Sequence, residues 1–379
     1  MIYLLPLFLI IIGFKVYDRP YFQKNGTTLW FFVFISLVLI IGLRYKVGGD
    51  TYNYMTYFAW SPELTYWEPF DASGFEPGFS LLTSAIKTLS DNLYVYQTII
   101  SFLQTFMLMV FIRRNTPYKF LALLLLYVSM YLYFSTEVVR EALAIGGLLL
   151  AYPLLEKKKY VRYYIVCLLL LTLHSSAIIC FFLPLLRNLK LDMKFIIYIF
   201  LFIVLGFGMA TVMQRLGSYF IFQKLLRYFE YSNVGYAWSG LRFIYFSILP
   251  LWFLYLSKKR LRVNVKYENI ICFQILMGIG LWFVPIVFQR LINYTIVFYL
   301  VSLAHVTGTC LRDTQYRRMI SVNAYKSRCQ FVNMLLVCTI LAHSSYYVHL
   351  NFYERYIPYH SVFDPVDVPE REKYVAGQD

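Results

Sequence analysis

Three arginines stand at the edges of apolar runs: Arg44 directly after "WFFVFISLVLIIGL", Arg140 in "STEVVREALAIGG" and Arg290 in "VPIVFQRLINYT". A guanidinium is planar, keeps its charge when desolvated and donates paired hydrogen bonds, so arginines held at membrane depth suit a diphosphate, most obviously a lipid diphosphate. Glu137 and Glu141 lie within one turn of Arg140, and Gly146 and Gly147 beyond it let another helix approach closely. Two readings of Arg140 stay open, a snorkelling side chain neutralised by these neighbours and a ligand-binding group. Arg290 reads as joining two spans with almost no loop, as an interfacial anchor or a functional group. "KVGGD" turns the chain sharply and presents Asp50 near the membrane surface, or is an ordinary exit turn. Tyr45, Tyr52, Tyr54, Tyr57, Tyr66 and Trp67 follow, as faces for sugar stacking or, by default, as an aromatic belt.

No DxD, HExxH, GxSxG or Walker lysine motif occurs, and His343 and His349 are six apart, off the spacing that would share one helical face. No metal site and no cofactor are expected, arginines serving where Mg²⁺ otherwise would. The six cysteines, Cys167, Cys180, Cys272, Cys310, Cys329 and Cys338, form no CxxC pair and read as small core residues.

These groups must be held by a bilayer-embedded scaffold. With 60% apolar and 15% charged residues over 379 positions and a mean hydropathy of +0.58, the chain is expected to be an all-α polytopic membrane protein. Continuous apolar runs, without a short alternating pattern, select helices over a barrel. They fall at 1–14, 28–43, 93–112, 119–135, 140–155, 163–186, 195–213, 241–256, 269–288, 291–310 and 330–348, about 11 membrane-embedded segments. The first lacks the charged lead and cleavage site of a signal peptide and reads as a retained span.

Net charge is +15, but the basic residues cluster in short connectors, the pattern that fixes membrane orientation, so a nucleic-acid partner is not expected. Connectors 15–28, 113–119, 156–162, 187–194, 257–268 and 311–328 carry a net +18 and are assigned to the cytoplasm, leaving −3 for the rest. Alternation then fails at one place: 156–162 and 187–194 are both basic yet flank a single run. Either that run is a re-entrant hairpin of two half-helices meeting at "HSS", with His174 near its tip, or it is one span with a misplaced basic loop.

With this topology Arg44, Asp50, Glu76, Glu137, Arg140, Glu141, Arg290 and the tail converge on the outer face. The expected organisation is a transmembrane domain over 1–348, with outer-face loops 44–92 and 214–240, and a periplasmic tail over 349–379. Two stretches with helical apolar spacing, Phe79, Leu82, Ile86, Leu89 and Phe222, Leu225, Leu226, Phe229, suit helices lying in the interface.

The runs "RYKVGGDTYNY", "EPGFSLL", "REALAIGGLLLAY", "LLLLTLHSSAII", "QRLINY" and "YIPYHSVF" occur in that order between about Leu29 and Phe363. In this the sequence resembles the EpsG family of bacterial exopolysaccharide and O-antigen (Wzy-type) polymerases. The resemblance implies a GT-C-like multi-helix glycosyltransferase of the bacterial inner membrane, with its active site facing the periplasm. Such an enzyme moves a growing glycan from undecaprenyl diphosphate onto the non-reducing sugar of another lipid-linked repeat unit. It implies as partners an undecaprenyl-diphosphate-linked oligosaccharide, membrane lipids and a chain-length regulator protein. On this resemblance Arg44, Arg140 and Arg290 hold the departing diphosphate. Asp50 or His174 takes the acceptor proton, and Glu76 and Glu141 are supporting groups. The family often has glutamine after the arginine of its third motif, where this chain has Glu141.

In-line displacement at the anomeric carbon needs a base on the acceptor and charge stabilisation on the leaving group, which fits the residues read above. The competing expectation is a lipid-linked oligosaccharide flippase or transporter, which would more naturally show internal repeats and a polar cavity open to both faces. A membrane O-acyltransferase is a third, disfavoured by the absence of a compact histidine–acid motif.

Overall fold

In a computed structural model of the chain, residues 2–19, 25–69, 74–216, 243–281, 285–318, 320–349 and 352–372 are described. Among them the chain is all helical apart from two isolated bridges, Arg44 with Ser361 and Ser361 with Asp364. It divides into two compact units, Met1–Phe181 with His343–Asp379, and Phe182–Ala342.

The first unit opens with α1 (Leu4–Val16), α2 (Thr27–Gly42) and the short α3 (Thr51–Trp60). Next come α4 (Pro77–Leu89), α5 (Leu93–Asn115), and α6 (Lys119–Leu126) passing through a π-helical turn at Tyr127–Tyr131 into α7 (Leu132–Thr136). Then follow α8 (Val139–Glu156), α9 (Tyr160–Leu173) and a 3-10 helix over Ser175–Leu186. The second unit holds α10 (Lys194–Leu216), a π-helical turn at Ile244–Ile248 leading into α11 (Leu249–Leu256), α12 (Glu268–Leu281) and α13 (Pro285–Arg312). α14 (Thr314–Arg318) and most of α15 (Val322–His349) complete it, and α16 (Phe352–Tyr356) and α17 (Pro369–Glu372) belong to the first unit.

Every apolar run read from the sequence carries a helix, because in a continuous apolar stretch the backbone satisfies itself only within the segment. Leu93–Asn115, Lys119–Thr136 and Phe288–Arg312 are long and apolar enough to cross a membrane. Leu4–Val16, Thr27–Gly42, Tyr160–Leu173, Ser175–Leu186, Lys194–Gly206 and Glu268–Leu281 are shorter apolar helices, and the set is consistent with a membrane protein.

The break at "HSS" is present. α9 ends at Leu173, His174 is extended (φ −158°, ψ 132°), and the 3-10 helix begins at Ser175. The two halves fold against each other: the Tyr163 hydroxyl donates to the Cys180 carbonyl at 2.8 Å, and the Tyr164 and Phe181 rings stack at 5.8 Å. One expectation is corrected. Arg290 does not join two spans, since α13 begins at Pro285 and carries Arg290 in its second turn. The ring-locked φ of proline suits the first turn of a helix, so Pro285 starts α13 there.

The expected helix at Phe79–Leu89 is α4, with Phe79 and Ile86 buried and Leu89 exposed. The second, around Phe222–Phe229, and with it most of the 214–240 loop, lies outside the described residues. In the second unit, α10 and α12 approach so closely that a Cβ on Gly280 would stand 2.8 Å from the Phe202 carbonyl oxygen. Glu268 ties that unit's loops together, accepting from the Leu191 N–H at 2.7 Å and from Lys258 at 2.5 Å.

Candidate functional site

The double glycine of "KVGGD" is explained by what crowds it. Arg44, 4% exposed, turns back on its own helix end, its Nε donating to the Val47 carbonyl at 3.1 Å and its Nη1 to the Ile41 carbonyl at 2.6 Å. The Ile41 carbonyl is one that the end of α2 leaves without a helical partner, and the Val47 carbonyl belongs to the turn that follows. Gly48 then adopts φ +105°, which residues with a Cβ rarely reach, and its N–H donates to the Arg355 carbonyl at 3.0 Å. The Gly49 N–H donates to Glu137 Oε1 at 2.6 Å, and a Cβ at Gly49 would meet both that carboxylate and the Arg355 guanidinium. The glycines thus admit a protein carboxylate.

Glu137 also accepts from the Tyr356 hydroxyl and from Arg355 Nη1, each at 3.2 Å. The last motif is therefore pinned to the first. The Tyr45 N–H donates to the His360 carbonyl at 2.8 Å, the Val362 N–H to the Leu43 carbonyl at 3.0 Å, and the Tyr359 hydroxyl to the Ile40 carbonyl at 2.9 Å. Arg371, 2% exposed, fastens this strap through the carbonyls of Glu354, Lys46 and Pro358. Lys46 and Asp367 pair at its surface at 2.5 Å.

A second cluster forms around Glu76. The residue before a proline is held extended, and Glu76 (φ −68°, ψ 143°), before Pro77 at the start of α4, is so held. Its carboxylate is spent on other elements: Oε2 pairs with Arg140 Nη1 at the start of α8, and Oε1 accepts from the Ser175 N–H at 3.0 Å. Burial alone would raise the Glu76 carboxyl, but Arg140, the Ser175 N–H and His174 outweigh it and hold it below its usual value. The Arg140 guanidinium lies 4.3 Å over the Phe75 ring, which stacks on Tyr57 at 3.9 Å. Both ionic side chains keep a share of surface, 25% for Arg140 and 19% for Glu76.

His174 joins this cluster electrostatically through Glu76. Its Nδ1 lies 2.6 Å from Ser176 Oγ and accepts from the Ser176 N–H at 3.2 Å. An acceptor at Nδ1 leaves the neutral ring's proton on Nε2. Asp50 acts on the same cluster through Tyr54. It precedes α3, its carbonyl accepts from the Tyr54 N–H at 3.2 Å, and its charge acts on the Tyr54 phenol together with that of Arg140. That phenol is raised to about 12, chiefly by burial, with Arg140 opposing and Asp50 adding.

The structure therefore brings Asp50, Glu76, Arg140 and His174 together around Tyr54 and Phe75. Arg44 lines a small cavity with Tyr54, Gln97, Ser101 and Ser135, its Nε and Nη1 donating to backbone carbonyls. Glu141 is buried in α8, and Arg290 belongs to the second unit. The sequence pairs Arg140 with Glu137 and Glu141 by spacing; the pairs formed are Arg140 with Glu76 and Glu137 with Arg355. Sequence reasoning gave no role to Tyr356, the first residue of "YIPYHSVF", and missed Arg355 and Arg371, whose one signal was their nearness to that motif. Of the tyrosines, Tyr54 and Tyr57 are buried, whereas Tyr66 is 77% exposed. Among the described residues no group of three or more His, Cys, Asp or Glu side chains is placed to hold a metal ion.

No curated protein and no solved structure matches the chain. Four of the six ordered motifs meet at the Glu76–Arg140 cluster, the last is strapped to the first, and a family model matches residues 27–361. The chain belongs to the EpsG family, which is associated with exopolysaccharide biosynthesis.

Proposed function

We propose that this protein is a polysaccharide polymerase of the bacterial inner membrane, making O-antigen or exopolysaccharide. It transfers a growing glycan from undecaprenyl diphosphate onto a lipid-linked repeat unit at the periplasmic face. The observation that carries the reading is the partly open Glu76–Arg140 pair, with His174 and Asp50 beside it. Arg140 receives the departing diphosphate, its plane fixed by Glu76 and Phe75, so that its donors need not reorganise as charge develops. Asp50 takes the proton of the acceptor hydroxyl. His174, with its proton on Nε2, donates a hydrogen bond to the leaving group. Arg44 shapes the Asp50 turn from behind, Glu141 is a buried supporting group, and Arg290 is a separate candidate for diphosphate.

The finer architecture belongs to the same proposal: a GT-C-like bundle of about 11 embedded segments, with α9 and the 3-10 helix as a re-entrant hairpin. Their 14 and 12 residues give lengths of about 21 Å and about 24 Å, short of a bilayer core of about 30 Å. The reaction needs no metal, and a chain-length regulator is a partner. In a cysteine-free background, an impermeant thiol reagent added from the periplasm labels Tyr66→Cys and spares Lys259→Cys; the reverse pattern overturns the orientation.

The test of function is incubation of purified protein with a synthetic undecaprenyl-diphosphate-linked repeat unit in EDTA. A ladder of products is expected. Movement of the intact lipid-linked unit across a vesicle membrane without any ladder supports the flippase instead.

A further inference from the structure

At the end of α5 remote from the candidate site, α2 and α5 enclose a groove lined by Thr27, Trp30, Phe34, Phe102, Phe106 and Arg113. Gln104, midway along α5, donates to the Val139 carbonyl beside Arg140 at 2.9 Å, and Arg113 lies about 14 Å further along the helix. The walls are aromatic: Phe34 meets Phe102 edge-on at 5.4 Å, and Phe102 stacks on Phe106 at 5.9 Å. Phe102 and Phe106 are 44% and 46% exposed, so no described residue fills the groove.

One end of this groove is basic. Arg113 lines it, Arg114 follows, and the Lys119 ammonium stands 5.6 Å over the Trp30 ring that forms part of the wall. The charges of Arg113 and Lys119 repel each other. The acidic group nearby, Asp18, is engaged at the start of α6, accepting from the N–H groups of Phe120 and Leu121 at 3.2 and 2.7 Å. From Arg113 to Phe102 the groove runs about 16 Å, the depth of one leaflet of a bilayer core about 30 Å thick.

We propose that this groove is a binding site for an anionic phospholipid, its acyl chain along Phe34, Phe102 and Phe106 and its phosphate at Arg113 and Lys119. The charge at the mouth selects an anionic over a zwitterionic head, because clustered basic side chains at a helix end attract anionic lipid. The polyisoprenyl substrate is not the occupant, since the basic mouth that takes the phosphate lies about 14 Å along α5 beyond Gln104, which donates to the Val139 carbonyl beside Arg140. The proposal rests on the membrane reading of the chain and not on the polymerase reading, so the two fail separately: lipid retention reads one and product ladders the other.

The experiment is native mass spectrometry of the purified full chain offered phosphatidylglycerol, phosphatidylcholine of the same acyl chains, or undecaprenyl phosphate. One phosphatidylglycerol is expected to be retained at least tenfold over phosphatidylcholine. Arg113→Gln lowers that retention about fivefold, Phe102→Ala weakens it as well, and Lys259→Gln, an exposed cation elsewhere, leaves it unchanged. Equal retention of the two phospholipids, the same loss from Lys259→Gln, or displacement of phosphatidylglycerol by equimolar undecaprenyl phosphate overturns it.

Discussion

Two arginine–carboxylate pairs meet the start of α8 from residues only three apart, Glu137 and Arg140, and they are built to opposite ends. Glu137 is closed in. At 7% side-chain exposure it takes hydrogen bonds from a backbone N–H of the first motif, a phenol of the last and the guanidinium of Arg355 just before it. Arg140 faces a more open place, paired with one carboxylate and laid over an aromatic ring. A carboxylate saturated by protein donors has little left for a ligand, whereas the Arg140 guanidinium, held by Glu76 and Tyr54, has five N–H donors and keeps some to offer. The same chemistry therefore serves as a clasp on one side of the helix start and as a candidate site on the other.

Crossed substitutions break this comparison most strongly. Arg140→Lys keeps a charge but not the fork, and is expected to cost at least about 100-fold in polymerisation with an unchanged Tm in detergent. Glu137→Ala leaves Arg355 and the Gly49 N–H without their carboxylate, a loss of about 3 kcal/mol of stability, read as a lower Tm. Activity per folded molecule there should stay within a fewfold of wild type. Swapped outcomes, a Tm loss from Arg140→Lys or a folded and inactive Glu137→Ala, would reverse the assignment.

Gly49→Ala is the next largest. Its Cβ falls against the Glu137 carboxylate and Arg355, so a destabilisation of about 1–3 kcal/mol is expected, visible as easier proteolysis after Tyr356. A wild-type digestion rate would mean that the clasp does not hold the strap.

The pH dependence sharpens the contrast further. Glu76 is held below its usual value of 4.5, and a carboxylate depressed in the folded state adds stability that is fully present above its unfolded value. That contribution is lost as pH falls through the lower, folded value. The Tm difference between wild type and Glu76→Gln should therefore stay constant through neutral pH and shrink only below 4.5. Shrinkage already at neutral pH would mean that Arg140 does not hold the carboxylate ionised. The smallest effect is expected from Asp367→Asn, at the fully exposed end of the Lys46 pair: an exposed ion pair contributes little and is screened by salt, so Tm should barely move.

These pairings show where sequence reading stops. The helices were legible because long apolar runs leave the backbone no other solution, and the break at His174 because three polar residues interrupt such a run. The start of α13 was hidden because "LMGIGLWFVPIVF" is apolar throughout, and only Pro285 marked it. The site's members were legible one by one as ionisable groups at span ends. Their partners were not, since Glu76 and Arg140 are 64 residues apart and Glu137 and Arg355 are 218 apart. Local spacing pointed Arg140 to Glu137 because it counts only neighbours on the same helix, while the fold supplies closer carboxylates and donors from elsewhere. The strap was missed for a similar reason: an acidic, weakly apolar tail gives no hint that Arg371 will be buried among carbonyls.

The central claim is that the Glu76–Arg140 pair is the functional one, and one assay addresses it directly. Purified wild type and Arg140→Lys, matched for Tm, are given the same lipid-linked repeat unit and their products separated by length. A ladder from wild type and only unextended substrate from Arg140→Lys is the predicted result; a ladder of normal length from the folded variant would contradict it.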